Sequence, residues 1–241
     1  MELREYDRMF QNESSYWWFV ARRELVLSLL EPYAPNGWSI LDAGCGTGAM
    51  AVELQKWGDV TGADSEERAL EYCRQRGLRN LALCSVESMP FGDEQFDLIT
   101  ALDLIEHVGD DRAALSEMAR CLKPGGILAL SVPAYRFMWS GHDLALMHKR
   151  RYRASELRAK IEETGLKVEK ISYALMLLFL PILIVRLLDR WFRRGEPAAT
   201  VLPVPIWVNR ILIWLQRMEA KLIRNVNLPF GVSIVAIARK N

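Results

Sequence analysis

The sequence predicts an α/β fold with a mainly parallel sheet and helices on both faces. Two observations predict it. From Trp38 onward, short apolar runs alternate with helical stretches, the pattern of βαβ crossovers. The first of these runs also ends in a glycine-rich turn, Gly44-Cys-Gly-Thr-Gly48, that opens the next helix.

Each element follows in order. Residues 1–31 read as helices that carry Tyr6, Phe10, Tyr16, Trp17, Trp18 and Phe19. The first strand is 39–42, with a helix over 47–57; the second is 60–64, with a helix over 66–75 closed by Gly77. The third strand is 81–84, and the fourth, 96–101, precedes a helix over 110–122. Lys123-Pro-Gly-Gly126 reads as a turn into the fifth strand, 127–132. A helix over 155–164, stopped by Gly165, leads to the sixth strand, 166–172, and the last strand is 232–238.

One stretch breaks the rhythm. The connection between the sixth and last strands is far longer than such connections normally are. It reads as two helical pieces, 174–194 and 205–225, joined by a segment with Gly195, Pro197, Pro203 and Pro205. In the second piece Arg210, Arg217, Lys221 and Arg224 share one face, while Trp207, Ile211, Trp214, Leu215, Met218 and Leu222 populate the other. The chain thus divides into aromatic lid helices at 1–37, a core at 38–173 and 229–241, and a hydrophobic, basic insertion at 174–228 suited to membrane docking or a lid.

Charge supports that division. The 241 residues carry a formal charge of only +1, but positions 149–224 hold 16 Lys or Arg against 7 Asp or Glu. With 51% hydrophobic and 25% charged residues, the composition excludes a disordered chain and a polytopic membrane protein. The longest apolar run, 173–185, is shorter than the roughly 20 residues a membrane-spanning helix needs, so a buried or interfacial helix is expected. Tryptophans beside arginines suit an anionic membrane surface; a homodimer contact through the insertion is the alternative. Nucleic acid is not expected, because the basic region is interleaved with aliphatic residues and no Asn-Pro-Pro-Tyr-type motif occurs. Cys45, Cys73, Cys84 and Cys121 form no CxxC pair, and the polar start at Met1 does not read as a secretory signal. Both point to a cytoplasmic protein, and the insertion's tryptophans and arginines would place it on the inner face of the membrane.

Glycines at 44, 46 and 48 remove side chains where a ligand approaches the backbone, and Asp64 ends the second strand where an acid accepts ribose hydroxyls. Read with Ala49, the turn also satisfies the dinucleotide pattern G-x-G-x-x-A, which leaves a nicotinamide oxidoreductase open.

The wider pattern is more specific. Asp42-Ala-Gly-Cys-Gly-Thr-Gly48 is followed by Ser85-Val-Glu-Ser-Met-Pro-Phe91, Gln95-Phe-Asp-Leu-Ile99, Ile105-Glu-His-Val108 and Leu122-Lys-Pro-Gly-Gly126. In this order the chain resembles the class I methyltransferases that use S-adenosylmethionine, over residues 38–173 and the final strand. The resemblance implies a Rossmann-like seven-stranded sheet whose antiparallel last strand lies between the fifth and sixth. It implies that Gly44, Gly46 and Gly48 contact the methionine part of the cofactor, Asp42 its amino group and Asp64 the ribose. Val86 and Glu87 would lie beside the adenine, with Leu102 in the same set; Ser85 stands where many relatives carry Asp.

Methyl transfer from a sulfonium mainly needs positioning, but an oxygen or nitrogen acceptor must also lose a proton. Three histidines are available: His107, His142 and His148. Asp103-Leu-Ile-Glu106-His107 resembles the acid-x-x-Glu-His segment of the ubiquinone-biosynthesis O-methyltransferases, which implies Asp103, Glu106 and His107 as ligands for a divalent cation such as Mg2+. The expected activity is methylation, at oxygen, of a small or lipid-linked acceptor at the membrane surface. A non-catalytic lipid- or partner-binding module of the same fold is the remaining alternative.

Overall fold

Seven strands form one sheet in the computed structural model, which describes residues 3–34, 37–192 and 204–241. They are β1 (Trp38–Ala43), β2 (Gly58–Asp64), β3 (Asn80–Leu83), β4 (Phe96–Leu102), β5 (Leu122–Pro133), β6 (Leu166–Ala174) and β7 (Ser233–Lys240). Their order is β3-β2-β1-β4-β5-β7-β6. The first five pair in parallel, and β7 runs antiparallel between β5 and β6. This is the Rossmann-like sheet the sequence predicts. Its central strands are apolar on both faces because helices cover both: Leu41, Leu98, Ile99, Leu128 and Leu130 are all buried.

The helices are α1 (Leu3–Asn12), α2 (Trp17–Leu30), α3 (Ala49–Leu54), α4 (Glu67–Gln75), α5 (Asp111–Cys121), α6 (Gly141–Ala145), α7 (Ala154–Glu162), α8 (Phe179–Phe192) and α9 (Ile206–Asn225). Three boundaries differ from expectation. Helix α3 starts at 49 because Gly48, its N-cap, holds φ +87°. The turn expected at 123–126 is part of β5: Leu122 pairs with Phe96, and a register shift separates that pair from Leu98–Ile127. The first helix of the insertion begins at Phe179 rather than 174, because β6 extends to Ala174 and Leu175 then turns at φ +61°. Glu219 of α9 fastens that turn by accepting the backbone N–H groups of Leu175 and Leu177. The expected linker residues Gly195, Pro197 and Pro203, and positions 193–194 of the first piece, lie outside the described residues.

Helix α9 packs on α2, which joins the insertion to the N-terminal helices. Arg217 pairs with Glu24 at 2.6 Å and Arg224 with Glu31 at 3.1 Å. Asn209 accepts the Trp17 N–H at 2.8 Å and donates to the Ser15 carbonyl at 2.8 Å, so one side chain braces the turn between α1 and α2. The inward face of α9 carries Gln216, Glu219, Ala220 and Ile223. Its tryptophans point away from the core, with Trp207 66% and Trp214 60% exposed. On α8, Leu180, Ile184, Leu188 and Trp191 are likewise exposed. Among the described residues no helix is long and apolar enough to cross a membrane.

Candidate functional site

A cavity of about 680 Å³ opens at the carboxyl ends of the parallel strands. Its floor comes from the sheet edge: Asp42 and Ala43 after β1, Asp64 after β2, and Leu102 and Asp103 after β4. Its other walls come from α1 and α2 and from α8 and Leu212 of α9. This is the edge at which an open parallel sheet presents ligands.

One half is built from the glycine turn. Gly44 and Gly46 line the cavity with φ of +66° and +54°, and a Cβ on Gly46 would sit 3.2 Å from Met9 Cε. Gly48, expected as a third contact, is not on the lining. A Cβ there would come within 2.9 Å of Cys73 Sγ and Leu78 Cδ1, so its bareness serves packing against α4 and the cap of α3. Asp64 Oδ2 accepts the Gly46 N–H at 2.9 Å, which ties the end of β2 to the turn. Asp64 Oδ1 accepts the Tyr6 hydroxyl at 3.3 Å and the Glu66 N–H at 3.1 Å. Burial raises the Asp64 carboxyl despite those donors.

Asp42 is more exacting. It is buried, its Oδ1 accepts the Thr100 hydroxyl at 2.6 Å, and its Oδ2 has no partner among the described residues. Burial pushes its carboxyl up to about 7. A buried carboxylate oxygen without a donor is costly unless something supplies one. The ammonium of an amino acid moiety fits that need, so the residues present suit S-adenosylmethionine. Ser85, Val86, Glu87 and Leu102 line the same half. Ser85 Oγ accepts the Glu87 N–H at 3.2 Å, and Glu87 Oε1 accepts the Asp110 N–H at 2.7 Å, so this loop is held from the start of α5.

The other half gathers the histidines. His107, His142 and His148 all line the cavity, with ring centroids 4.7 Å apart for His107 and His148 and 6.4 Å for His142 and His148. Burial pulls His107 down to about 4 and His142 to about 3, so both are neutral imidazoles at neutral pH. His148 Nδ1 lies 2.9 Å from Asp143 Oδ1. Asp143 also accepts Arg151 Nε at 2.6 Å, the Ser140 N–H at 2.9 Å and Arg186 Nη1 at 3.3 Å. Although buried, its carboxyl is held far below the usual range by the His148 hydrogen bond and by the Arg151 and Arg186 charges. An ionised carboxylate can only accept, so His148 carries its proton on Nδ1 and keeps the Nε2 lone pair free of this carboxylate.

Asp103, expected as a cation ligand, is otherwise engaged. Arg22 of α2 pairs with one oxygen, and Ser131 donates to the other at 2.9 Å. Despite burial, Arg22 and Ser131 hold its carboxyl low. Glu106 is the opposite case: it is buried, neither carboxylate oxygen has a partner among the described residues, and burial followed by the Asp103 charge raises its carboxyl well above the ordinary range. The structure therefore does not bring Asp103, Glu106 and His107 together as one ligand set.

Sequence reasoning placed Asp143 beside His142 and His148 without giving it a role, and it did not select Arg22 or Glu13. Asp143 had a local signal, because Ser140-x-x-Asp143 has capping-box spacing, and both reciprocal bonds form at α6. Arg22 and Glu13 had none. Buried Glu13 accepts Thr47 Oγ1 from the glycine turn and Arg76 Nη2 at 2.6 Å, pinning the end of α1 over the turn. In the basic stretch 149–153, Arg150 pairs with Asp111 at 3.0 Å and the buried Tyr152 hydroxyl donates to Asp111 at 2.9 Å, while Lys149 and Arg151 line the cavity.

Comparison with known proteins agrees with this geometry. A methyltransferase domain model matches residues 41–130. A protein of Mycolicibacterium smegmatis named "Probable S-adenosylmethionine-dependent methyltransferase" is 31% identical over 161 residues, 65% of this chain and 62% of that one. The chain thus spans less than two thirds of that relative. The ubiquinone biosynthesis O-methyltransferase of Aliivibrio fischeri is 26% identical over 198 residues, 68% of this chain and 83% of the relative. Among solved structures, an S-adenosylmethionine-dependent methyltransferase from Thermotoga maritima shares the fold at TM-score 0.63 and 21% identity, covering 99% of this chain and 96% of that one. The cyclase SpnF matches equally well at TM-score 0.63 and 21% identity, over 94% of this chain and 86% of that one, so the fold alone does not fix the reaction. In its domain match, its sheet order and the glycine turn bonded to Asp64, the chain is similar to the class I S-adenosylmethionine-dependent methyltransferases.

Proposed function

We propose that this protein transfers a methyl group from S-adenosylmethionine to an oxygen of a small or lipid-linked acceptor at a membrane surface. One observation carries the reading: a single cavity joins the glycine turn, Asp42 and Asp64 to the three histidines and to the apolar helix α8. Asp64 would hold the ribose, Asp42 Oδ2 the ammonium, and Ser85, Val86 and Glu87 would flank the adenine. The acceptor would then enter the half of the cavity lined by the histidines. There His148 Nε2, oriented by Asp143, takes the acceptor proton in the manner of a carboxylate-held imidazole. A divalent cation bound at that end would supply Lewis acidity to the acceptor hydroxyl. Helices α1 and α2 act as the lid, and they exclude water from the transfer.

The cofactor assignment has a pH signature. A carboxyl raised by folding stabilises the cofactor-free protein below its unfolded pKa, and that contribution is lost as pH rises through about 7 for Asp42. Cofactor binding runs the other way, because the ammonium requires ionised Asp42. Calorimetry should show S-adenosylhomocysteine binding about tenfold more tightly at pH 8 than at pH 6, with no heat from NAD. Binding by NAD instead, or neither ligand binding, would overturn the reading; a flat pH profile would remove Asp42 from the ammonium site.

The exposed apolar faces of α8 and α9, rimmed by Arg190, Arg210 and Lys221, suit the interface of an anionic bilayer. Co-sedimentation with vesicles containing phosphatidylglycerol should retain the protein at low salt. The doubly substituted Trp207→Glu, Trp214→Glu chain should bind at least about tenfold more weakly with an unchanged melting temperature, since both side chains are exposed. Equal binding by both chains, or a dimer by light scattering that the double substitution splits, would assign the face to another partner.

A further inference from the structure

The deepest anomaly in the cavity is Glu106. Its carboxylate is withdrawn from water, and neither oxygen meets a donor among the described residues. Natural proteins leave few such groups unexplained, and an unrecorded ion is a standard resolution. Ligand atoms of Glu106, His107 and His148 all lie within 4.8 Å of one another. Around a four-coordinate ion such atoms sit about 3–3.5 Å apart, so a small contraction closes the set.

The surroundings of the two imidazoles match those of ligating histidines. His148 turns Nδ1 to the buried Asp143 carboxylate and leaves Nε2 for the cluster. The His107 ring lies near the Leu146 backbone, whose carbonyl favours a proton on that ring. Metal-bound histidines are oriented in just this way, by a carboxylate or a backbone carbonyl on the other nitrogen. All three residues line the cavity, so a coordination position faces the acceptor space. Asp103 cannot join without releasing Arg22 and Ser131.

We propose that Glu106, His107 and His148 form a divalent transition-metal site, in which His148, from the connection between α6 and α7, takes the place the resemblance assigns to Asp103. One carboxylate and two imidazoles make a borderline donor set that suits Zn2+, Co2+ or Fe2+ over Mg2+, which prefers oxygen. The site rests on the proposed reading of the cavity. When it is filled, His148 is a ligand rather than the base, because its single Nε2 lone pair serves one role.

Equilibrium dialysis of the full chain against Co2+, Zn2+ or Mg2+ alone tests this without an acceptor. One equivalent of Co2+ with a visible d–d spectrum is expected, displaced by Zn2+, with no uptake of Mg2+ at equal concentration. Glu106→Gln and His148→Asn should each weaken Co2+ binding at least about tenfold, within the 10–100-fold and larger losses seen at built sites. Asp103→Asn should leave the spectrum intact. S-adenosylhomocysteine binding, measured in parallel, reports the fold of each variant. Cofactor binding without Co2+ uptake overturns the metal site and leaves His148 as base. Loss of Co2+ in Asp103→Asn but not in His148→Asn overturns the ligand set. Absence of cofactor binding by the unsubstituted chain would instead strike the functional reading.

Discussion

Asp64→Ala should lose S-adenosylhomocysteine binding by more than about 100-fold while the protein stays folded. The carboxylate ends β2, is almost fully buried, and holds the glycine turn through the Gly46 N–H at 2.9 Å. A hydrogen bond to a charged group contributes about 1.5–3 kcal/mol, and two ribose hydroxyls place the loss near 3 kcal/mol or above. Stability follows a different course. Burial raises the Asp64 carboxyl, so ionised Asp64 costs the empty protein something that an amide does not. Asp64→Asn should therefore melt within a few degrees of the parent and still bind weakly, because its side-chain oxygen can accept from Gly46. Calorimetry and thermal melts on the two variants separate the effects. An Asp64→Ala protein that binds within tenfold of the parent would place the ribose elsewhere.

Asp143→Asn should be the most destabilising single change in the site. The carboxylate is wholly buried, and it answers three side chains and one backbone N–H: His148, Arg151, Arg186 and Ser140. Arg186 already sits at about 10, lowered by burial and then by the Arg151 charge. Removing the shared anion leaves two guanidinium groups close together and under-compensated, which costs about 3–5 kcal/mol. In a chain of this size that is roughly a 6–20 °C fall in melting temperature. A second change, Arg151→Met, removes one of the stranded charges and should recover part of the loss, a coupling that a double-mutant cycle measures. A single variant that melts within about 2 °C of the parent would show that Asp143 is not the hub.

These two carboxylates show what the sequence could and could not reveal. The position of Asp64 was legible because it is set by short-range spacing: a strand, a glycine turn, a helix, then a second strand ending in an acid. The sheet was legible for the same reason, since apolar runs buried on both faces leave little choice of pairing. Asp143 was obscured because its partners come from three places, with Arg186 reaching it from the insertion. Glu13 and Arg22 were obscured because their partners are distant in sequence: Glu13 meets Thr47 and Arg76, and Arg22 meets Asp103 from α2, a helix packed on α9 nearly 200 positions away. The face of α9 was legible as amphipathic, yet its orientation was not. Periodicity marks a stripe of tryptophans, but Gln216 and Glu219 are the residues that turn inward, because Glu219 is needed to hold the backbone at Leu175 and Leu177.

The Tyr6 hydroxyl rests on Asp64 Oδ1, an oxygen that a bound ribose would also engage. Helix α1 and the cofactor are therefore rivals for one acceptor. By thermodynamic reciprocity, whatever strengthens the seating of Tyr6 weakens cofactor affinity by the same factor, and a bound cofactor loosens α1 in return. The apparent dissociation constant then contains a helix-docking equilibrium as well as the contacts in the pocket. If the proposed cofactor binds there, a tyrosine ready to reclaim the vacated oxygen would favour its departure, so α1 would take part in release rather than only covering the site.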